Sequence, residues 1–205
     1  MLLYKGPKPM KTGGPGIYTR RLSVNISDIT SHRRLLNYLK IYYRRHLTQL
    51  DFSPHTNMIL SHVSSLSFVP CFLLAYSLCR INELGQISVP LIKSGSPFKI
   101  ISSKGGTTRL VDPFRMYKKS TLAAVPNSTL LIVVSYDSLR SSIISCRNRN
   151  NIKLPPGVLD CTHIFRHLEA SWMHHKGHDL EVISYKLGHK MEKTTLQYIH
   201  EGLFL

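Results

Sequence analysis

The sequence predicts an α+β fold that is mainly helical and contains one small antiparallel β-sheet, formed by a hairpin. Apolar residues recur at helical spacing in several long segments, which predicts a helical core. One shorter segment alternates apolar and polar residues on both sides of a Gly-Gly pair, which predicts the hairpin. The 205 residues are 42% hydrophobic and 19% charged, a balance typical of a chain that folds around one main core.

The chain begins with two basic regions. Residues 1–20 are rich in Lys, Gly and Pro, and we expect a flexible basic arm without the apolar segment of a secretory signal. Residues 21–50 contain an amphipathic helix that begins near Ser27, with Leu35 and Tyr42 on its apolar face. Basic side chains interleave with the apolar ones and are candidates for contact with nucleic-acid phosphates: Arg33, Arg34, Lys40, Arg44 and Arg45.

Two helices are predicted in the next part of the chain. The first begins near Ser53 and Pro54, because proline is favoured in the first turn of a helix. The second covers residues 66–87, which are apolar enough for one buried helix with a polar end at Arg80 and Glu83. This arrangement predicts that Arg80 emerges at the edge of the core.

The hairpin and five more helical segments follow. The strands are predicted at Phe98–Ser103 and Thr107–Val111, with Lys104 at the tip between them. Helices are predicted over the remaining periodic segments: 116–125, 128–148, 161–177, 179–187 and 192–200. Residues 130–136 are β-branched enough to form a strand instead. Gly188 is expected to end the helix before it.

The charge of the chain favours nucleic acid as its partner. Lys and Arg outnumber Asp and Glu by 27 to 11, which gives a net charge of +16 before any of the 11 His is protonated. We expect this charge to bind DNA or RNA rather than an anionic membrane. The apolar run at residues 68–79 stops at Arg80 and is too short to span a bilayer. The sequence therefore predicts a soluble intracellular protein without a membrane segment.

Neither the cysteines nor the histidines have the spacing of a metal site. The four cysteines, at positions 71, 79, 146 and 161, form no Cys-x-x-Cys pair, so we expect reduced thiols in a reducing compartment. His174, His175 and His178 are the densest histidine group, but they lack a cysteine or carboxylate at ligand spacing. A solvated basic helix end is favoured there, and neither a metal nor another cofactor is predicted.

Several polar residues would make chemical sense as one site. Arginines match the non-bridging oxygens of a phosphodiester, a lysine can protonate a leaving oxygen, and a histidine can transfer a proton near neutral pH. A tyrosine becomes a nucleophile when its proton is removed and its target phosphate is neutralised. The candidates are Arg80, Lys104, His163, Arg166, His189 and Tyr198. Such a site would form a phosphotyrosine without a metal ion.

Each candidate also has a structural interpretation. Arg80 and Glu83 could form a surface ion pair, and Lys104 could be an exposed hairpin lysine. His163 and Arg166 could simply share a helix face, and Tyr198 could be a packed aromatic residue. The order and spacing of the whole set decide between these interpretations.

In that order and spacing the chain resembles the catalytic domain of tyrosine recombinases, the phage integrase family. The first similarity is the arginine before a Glu-Leu pair in "CRINEL", followed by the hairpin lysine in "SSKGGTTRLV". The second is "HIFRH", a His-x-x-Arg helix, followed by the Leu-Gly-His turn at His189 and by Tyr198 nine residues later. The match covers roughly residues 50 to 200.

The resemblance implies a role for each matching residue. Arg80, Arg166 and His189 would surround the scissile phosphate of double-stranded DNA, with His163 assisting proton transfer and phosphate binding. Lys104 would be the general acid toward the leaving 5′ hydroxyl. Tyr198 would be the nucleophile that forms a 3′-phosphotyrosyl link. Glu83 and His167 would support the site.

The resemblance also implies a domain organisation and a function. Residues 1–20 would be the arm, residues 21–50 either the start of the catalytic domain or a remnant of a core-binding domain, and residues 51–205 the catalytic domain. The activity would be that of a site-specific recombinase or integrase of a mobile element, virus or plasmid. The protein would act in the cytoplasm or nucleoid of a prokaryote, or in the nucleus or an organelle of a eukaryotic or virus-infected cell.

Three questions stay open at the level of sequence. Only about 50 residues precede the matching region, so a full core-binding clamp is missing and an accessory protein could supply it. A homo-oligomer on DNA, either a dimer or a tetramer, is also open, because few residues follow Tyr198. The alternatives are a catalytically silent DNA-binding or regulatory protein and an enzyme that relaxes DNA like a type IB topoisomerase. The Leu-Gly-His turn favours a recombinase over a topoisomerase.

Overall fold

The structure is a computed structural model that describes residues 26–103, 107–114, 119–154, 158 and 162–204. Within these ranges the chain forms helices joined by short connections and one two-stranded sheet. The α-helices are α1 (Ile26–Arg45), α2 (Leu47–Leu50), α3 (Pro54–His62), α4 (Ser65–Ser77), α5 (Val89–Ser94), α6 (Lys119–Ala123), α7 (Tyr136–Arg149), α8 (Ile164–His175), α9 (Leu180–Leu187) and α10 (Glu192–Leu196). Two 3₁₀ segments cover Ile81–Gln86 and Glu201–Phe204. The predicted α+β class is confirmed.

The predicted hairpin is present, with shorter strands than the sequence indicated. Strand β1 (Phe98–Ile100) pairs antiparallel with β2 (Arg109–Val111), and Ile100 lies opposite Arg109. Alternation along each strand turns Phe98 and Ile100 inward on β1, and Arg109 and Val111 inward on β2. An arginine therefore occupies a position on the apolar face of the sheet. Residues 104–106 lie outside the described residues.

The main core forms around α4, which is apolar on all sides and buried along most of its length. The Phe72 ring stacks on Phe68 and meets the ring of Tyr42 from α1 edge to face. Helix α1 buries one face of apolar and aromatic residues here, which is what its spacing predicted. Helix α8 packs on the other side of α4. The buried thiols of Cys71, Cys79 and Cys146 are free.

The prediction of one helix over residues 66–87 was wrong, because α4 ends at Ser77. Leu78 takes a left-handed conformation with φ 49°, and Arg80 is extended before the 3₁₀ segment begins. The break is stabilised by one side chain from a distant part of the sequence and by one from three residues further on. The Leu78 carbonyl accepts a hydrogen bond from the guanidinium of Arg166, and the Arg80 amide donates to the carboxylate of Glu83.

Two other helices differ from their predicted bounds. Helix α7 begins only at Tyr136, where Ser135 accepts a hydrogen bond from the Ser138 amide, and residues 130–134 are neither helix nor strand. The last predicted helix, 192–200, stops at Leu196. Tyr198 lies in the turn that follows, and its amide donates to the Thr195 carbonyl at 2.8 Å. The candidate nucleophile is therefore carried by a turn rather than by a helix.

Helices α3, α8 and α9 agree with the sequence. Ser53 caps α3, accepting from the Thr56 amide, and Pro54 occupies the first turn as predicted. Gly188 ends α9 in the left-handed conformation, with φ 69°. Leu78, α8 and α9 form a second, small apolar cluster, and Tyr198 packs against it. Among the described helices, none combines the length and apolar character needed to cross a bilayer.

Candidate active site

Glu83 lies at the centre of one half of the candidate site. It is fully buried, and its carboxylate accepts hydrogen bonds from the backbone amides of Arg80 and Ser103, both at 3.0 Å. It also accepts from Arg80 Nη1 at 2.9 Å and from Arg109 Nη2 at 3.1 Å. Burial alone would raise the pKa of Glu83, but these hydrogen bonds and the charge of Arg109 outweigh it and hold the pKa at about 2. The carboxylate is therefore ionised at neutral pH.

Arg80 is fixed by its place between α4 and the 3₁₀ segment. Its backbone is extended, so the side chain of Glu83 reaches back to its amide in the manner of a capping box. Nη1 donates to Glu83 and, at 3.0 Å, to Ser102 Oγ beside the hairpin. Arg80 is only 8% exposed, so the alternative of a solvated surface ion pair is wrong.

Arg166 lies in the first turn of α8 and is completely buried. Its guanidinium donates to the carbonyls of Leu78 and Leu187 and to His189 Nε2, the last two at 2.9 Å. Burial, followed by the charge of Arg80, lowers the pKa of Arg166 to about 10. The group still carries its charge at neutral pH. Arg166 thus joins the break after α4 to the turn after α9.

The hydrogen bonds of His189 determine its tautomer. Arginine can only donate, so His189 Nε2 must accept from Arg166 and carries no proton. The neutral ring then has its proton on Nδ1, which donates to Thr195 Oγ1 at 2.9 Å. Burial, and after it the charge of Arg166, lowers the pKa of His189 to about 4, in agreement with a neutral imidazole.

The ring of Tyr198 lies against the same group of residues. It stacks on His167 with 4.5 Å between ring centroids, and its centroid is 5.1 Å from Arg166 Cζ. The His189 ring is also 5.1 Å away. Tyr198 is half-buried, with its backbone carbonyl accepting from Ser171 Oγ at 3.2 Å. The structure therefore brings together Arg80, Glu83, Arg166, His167, His189 and Tyr198.

Two predicted histidines occupy the start of α8. His163 precedes the helix, is half-buried, and accepts a hydrogen bond from the Arg166 amide through its carbonyl. His167 Nδ1 and His200 Nε2 are 2.9 Å apart, so one of these nitrogens donates to the other. The His167 ring stacks on Tyr198, and the His200 ring stacks on His167.

The predicted general acid, Lys104, lies outside the described residues. The described residues on both sides of it are at the site. Ser103 donates to Glu83 through its amide and its hydroxyl, and the Thr107 carbonyl is 3.4 Å from the position that a Cβ on Gly188 would occupy.

Sequence reasoning missed Arg109, Thr195 and His200. The signal for Arg109 was a charged residue on the apolar face of a strand, since it alternates with the buried Val111. Thr195 is fully buried and orients His189, but a threonine in a helix has no local feature that reveals this role. The signal for His200 was its position two residues after Tyr198.

Electrostatically, the described part of the site holds more positive than negative charge. Arg80, Arg109 and Arg166 are all buried, whereas Glu83 is the carboxylate that they surround and His189 is neutral. Buried charges are normally balanced, so the surplus favours an anion at this position. Among the described residues, no three His, Cys, Asp or Glu side chains are placed to hold a metal ion.

The basic residues predicted to contact DNA lie on α1, away from this cluster of contacts. Arg33, Arg34, Arg44 and Arg45 are exposed. Lys40 is half-buried, with Nζ 3.4 Å from Ser65 Oγ and 5.6 Å from the centre of the Phe68 ring. The four arginines form an exposed basic surface, whereas Lys40 also packs on the core.

These features define a class of fold: the chain has the fold of a tyrosine recombinase catalytic domain. Among solved structures it is similar to a XerA recombinase, with 20% identity and a TM-score of 0.50, over 71% of this chain and 57% of that chain. It is also similar to the catalytic domain of the bacteriophage HP1 integrase, with 20% identity and a TM-score of 0.43, over 85% and 84% of the two chains. The chain thus spans little more than half the length of the XerA recombinase.

The comparisons confirm the predicted resemblance at the level of the fold. No family model matches the sequence, and no curated protein matches it.

Proposed function

We propose that this protein is a DNA recombinase or integrase that breaks and rejoins DNA through Tyr198. The observation that carries the proposal is the convergence of three buried arginines and a neutral histidine beside a tyrosine ring. Arginine guanidinium groups bind the non-bridging oxygens of a phosphodiester and gain strength as charge develops on them. Double-stranded DNA is the proposed substrate, because the net charge of +16 attracts a polyanion and the fold is similar to that of a recombinase.

The reaction is a transesterification in which the protein and the DNA are the only reactants. The phenolic oxygen of Tyr198 attacks the scissile phosphorus, and the bond from phosphorus to the 5′ oxygen breaks. The phenolic proton passes to a base at the site, with His163 as our candidate, and Lys104 protonates the leaving 5′ oxygen. The product is a 3′-phosphotyrosyl link and a free 5′ hydroxyl. Attack by a 5′ hydroxyl of a second strand reverses the step and joins new partners.

The arginines supply the charge that this reaction requires. The transition state at phosphorus carries more negative charge than the ground state, so Arg80 and Arg166 bind it more tightly. The lone pair of His189 Nε2 is occupied by Arg166, so His189 positions that arginine instead of accepting the tyrosine proton. Arginines in this role make a metal ion unnecessary for neutralising the phosphate.

The organisation of the chain follows from the same proposal. We assign residues 1–20 to a basic arm and residues 51–205 to the main part of the catalytic domain, to which α1 also belongs. Since α1 buries its apolar face in the main core, we assign it to the start of the catalytic domain rather than to a remnant of a clamp. The protein would act as a homo-oligomer on DNA, either alone or with an accessory protein, in a mobile element, virus or plasmid.

Covalent trapping on nicked DNA tests the activity. The protein is incubated in EDTA with suicide substrates that carry a nick near the cleavage position. Cleavage then releases a short fragment with the free 5′ hydroxyl, which diffuses away and cannot rejoin the strand. A denaturing gel then separates the covalent adduct. We expect an adduct with the wild-type protein and none with Tyr198→Phe, because phenylalanine keeps the ring contacts but lacks the nucleophilic oxygen.

The matched control is Tyr185→Phe, since Tyr185 is an exposed tyrosine on α9 whose hydroxyl accepts from the Leu110 amide. This variant should form the adduct as the wild type does. Tight DNA binding without an adduct on any substrate would instead support a catalytically silent DNA-binding protein. An adduct that persists in Tyr198→Phe would assign the nucleophile elsewhere.

A further inference from the structure

Arg109 is almost completely buried in the site, and its single ion pair does not account for this burial. It is 1% exposed, and Nη2 donates to Glu83 Oε2 at 3.1 Å. Its Nε and Nη1 are buried without a hydrogen-bond partner among the described residues. A buried cation with unsatisfied donors costs free energy, so a chain that keeps one at this position has a reason other than stability.

The first contact of Arg109 holds the carboxylate that holds Arg80. Glu83 uses Oε1 for Arg80 Nη1 and Oε2 for both the Arg80 amide and Arg109 Nη2. With a cation on each side, the carboxylate group has one orientation. Removing Arg109 leaves Oε2 with the Arg80 amide alone, while Oε1 keeps Arg80 Nη1 and the amide and hydroxyl of Ser103. The carboxylate then has a cation on one side only and is held less firmly.

The second contact of Arg109 is with the turn that carries His189. A Cβ on Gly188 would lie 2.8 Å from Arg109 Nη1, which is too close for a non-bonded contact of a Cβ atom, so the guanidinium packs directly on the glycine backbone. The neighbours of this glycine are Leu187 and His189, and both accept hydrogen bonds from Arg166. Arg109 therefore touches both halves of the site.

We propose that Arg109 is a positioning residue, which sets Arg80 and Arg166 at the separation at which both can bind one phosphate. The inference rests on the proposed function, because it assigns the two arginines to a single scissile phosphate. Arg109 acts through Glu83 on one side and through Gly188 on the other.

The test compares Arg109→Met and Arg109→Lys with Arg140→Met, which removes the same charge from an exposed position on α7. Adduct formation is measured at saturating nicked DNA, and DNA affinity is measured separately. We expect Arg109→Met to slow adduct formation about 100-fold, the effect of a small misplacement of reacting groups. Its DNA affinity should stay close to that of Arg140→Met. Arg109→Lys, which keeps the charge without the planar fork, should lie between.

A double-mutant cycle with Glu83→Gln tests the route of action. If Arg109 acts through Glu83, the double variant is no slower than the slower of the two single variants. Losses that multiply would overturn this route. If the rate, the DNA affinity and the folded fraction all decrease in parallel, Arg109 has only a structural role. Where Arg109→Met does not fold, the same comparisons are made with Arg109→Lys.

A measurement without DNA separates this inference from the proposed function. The carboxyl carbon of Glu83 is titrated by NMR in the wild type and in the Arg109 variants. We expect the pKa of Glu83 to rise from about 2 when Arg109 is removed, because one of the charges that lower it is lost. An unchanged titration would overturn the inference whether or not DNA is cleaved. A missing adduct in the wild type, with the shift present, would instead count against the proposed function.

Discussion

Two buried titratable side chains give the stability of this protein opposite dependences on pH. His189 has a pKa lowered to about 4, so between pH 4 and 6.5 the unfolded chain binds more protons and the free energy of unfolding rises with pH. Glu169 has a pKa raised to about 7 by burial, so between pH 4.5 and 7 the folded chain binds more protons and the free energy of unfolding falls as pH rises. The two effects oppose each other where the windows overlap.

The variant Glu169→Gln separates these contributions. It removes the Glu169 contribution and leaves that of His189, together with those of the buried His32 and the half-buried His55 and His200, whose pKa values burial also lowers. Between pH 4.5 and 7, the free energy of unfolding of the variant should rise by up to about 3 kcal/mol relative to that of the wild type. Urea unfolding at intervals of pH measures this difference. Glu192→Gln, at an exposed glutamate, should show a constant difference, and a constant difference in Glu169→Gln would contradict the assignment.

At the scale of one element, the start of α3 depends on the same glutamate. Ser53 Oγ accepts from the Thr56 amide and is also 2.9 Å from Glu169 Oε1, to which it donates. Ser53→Ala removes the cap and one partner of a buried carboxyl. We expect a loss of about 2–4 kcal/mol in the free energy of unfolding, measured in urea at pH 8, where Glu169 is ionised.

The matched change is Ser135→Ala at the start of α7. Ser135 is exposed, and its hydroxyl accepts from the Ser138 amide at 3.1 Å without a buried carboxyl nearby. This variant should lose only about 1 kcal/mol, the ordinary value for a helix cap. Equal losses in the two variants would mean that Glu169 gains nothing from Ser53.

For the whole molecule, the basic surface of α1 predicts how DNA binding depends on salt. Arg33, Arg34 and Arg44 are exposed on a helix whose other face is buried in the core. If all three bind phosphates, changing them to Gln should reduce the slope of log affinity against log salt concentration by about 3, at roughly 0.9 per contact. Fluorescence anisotropy with labelled duplex DNA at several salt concentrations measures the slope.

The control makes the same change in charge on α7, at Arg140, Arg147 and Arg149. We expect a smaller change in slope there. An equal change in slope in both variants would show that the net charge of +16 attracts DNA regardless of where the charges lie, and not through α1.

Most of the elements could be predicted because their causes are local. The spacing of apolar residues identified α1, α8 and α9, and the alternation around the Gly-Gly pair identified the hairpin. Element ends were less predictable where a distant side chain determines them. Helix α4 stops at Ser77, and the carbonyl of Leu78 that follows is bound by Arg166, far along the chain, which nothing near Leu78 in the sequence indicates.

For the candidate site, residue order and the family resemblance predicted Arg80, Glu83, Arg166, His167, His189 and Tyr198. These side chains lie together in the folded chain, and the roles predicted for them stay predictions. Packing was needed to learn what each of them does for the others. Arg109 and Thr195 acquire roles only when β2 and α10 are brought against the turn at Gly188. The protonation of His189 follows from one arginine donor and from burial, which are properties of the folded chain. The spacing of residues along the sequence determines local backbone structure, whereas burial and long-range hydrogen bonds exist only after the chain has folded.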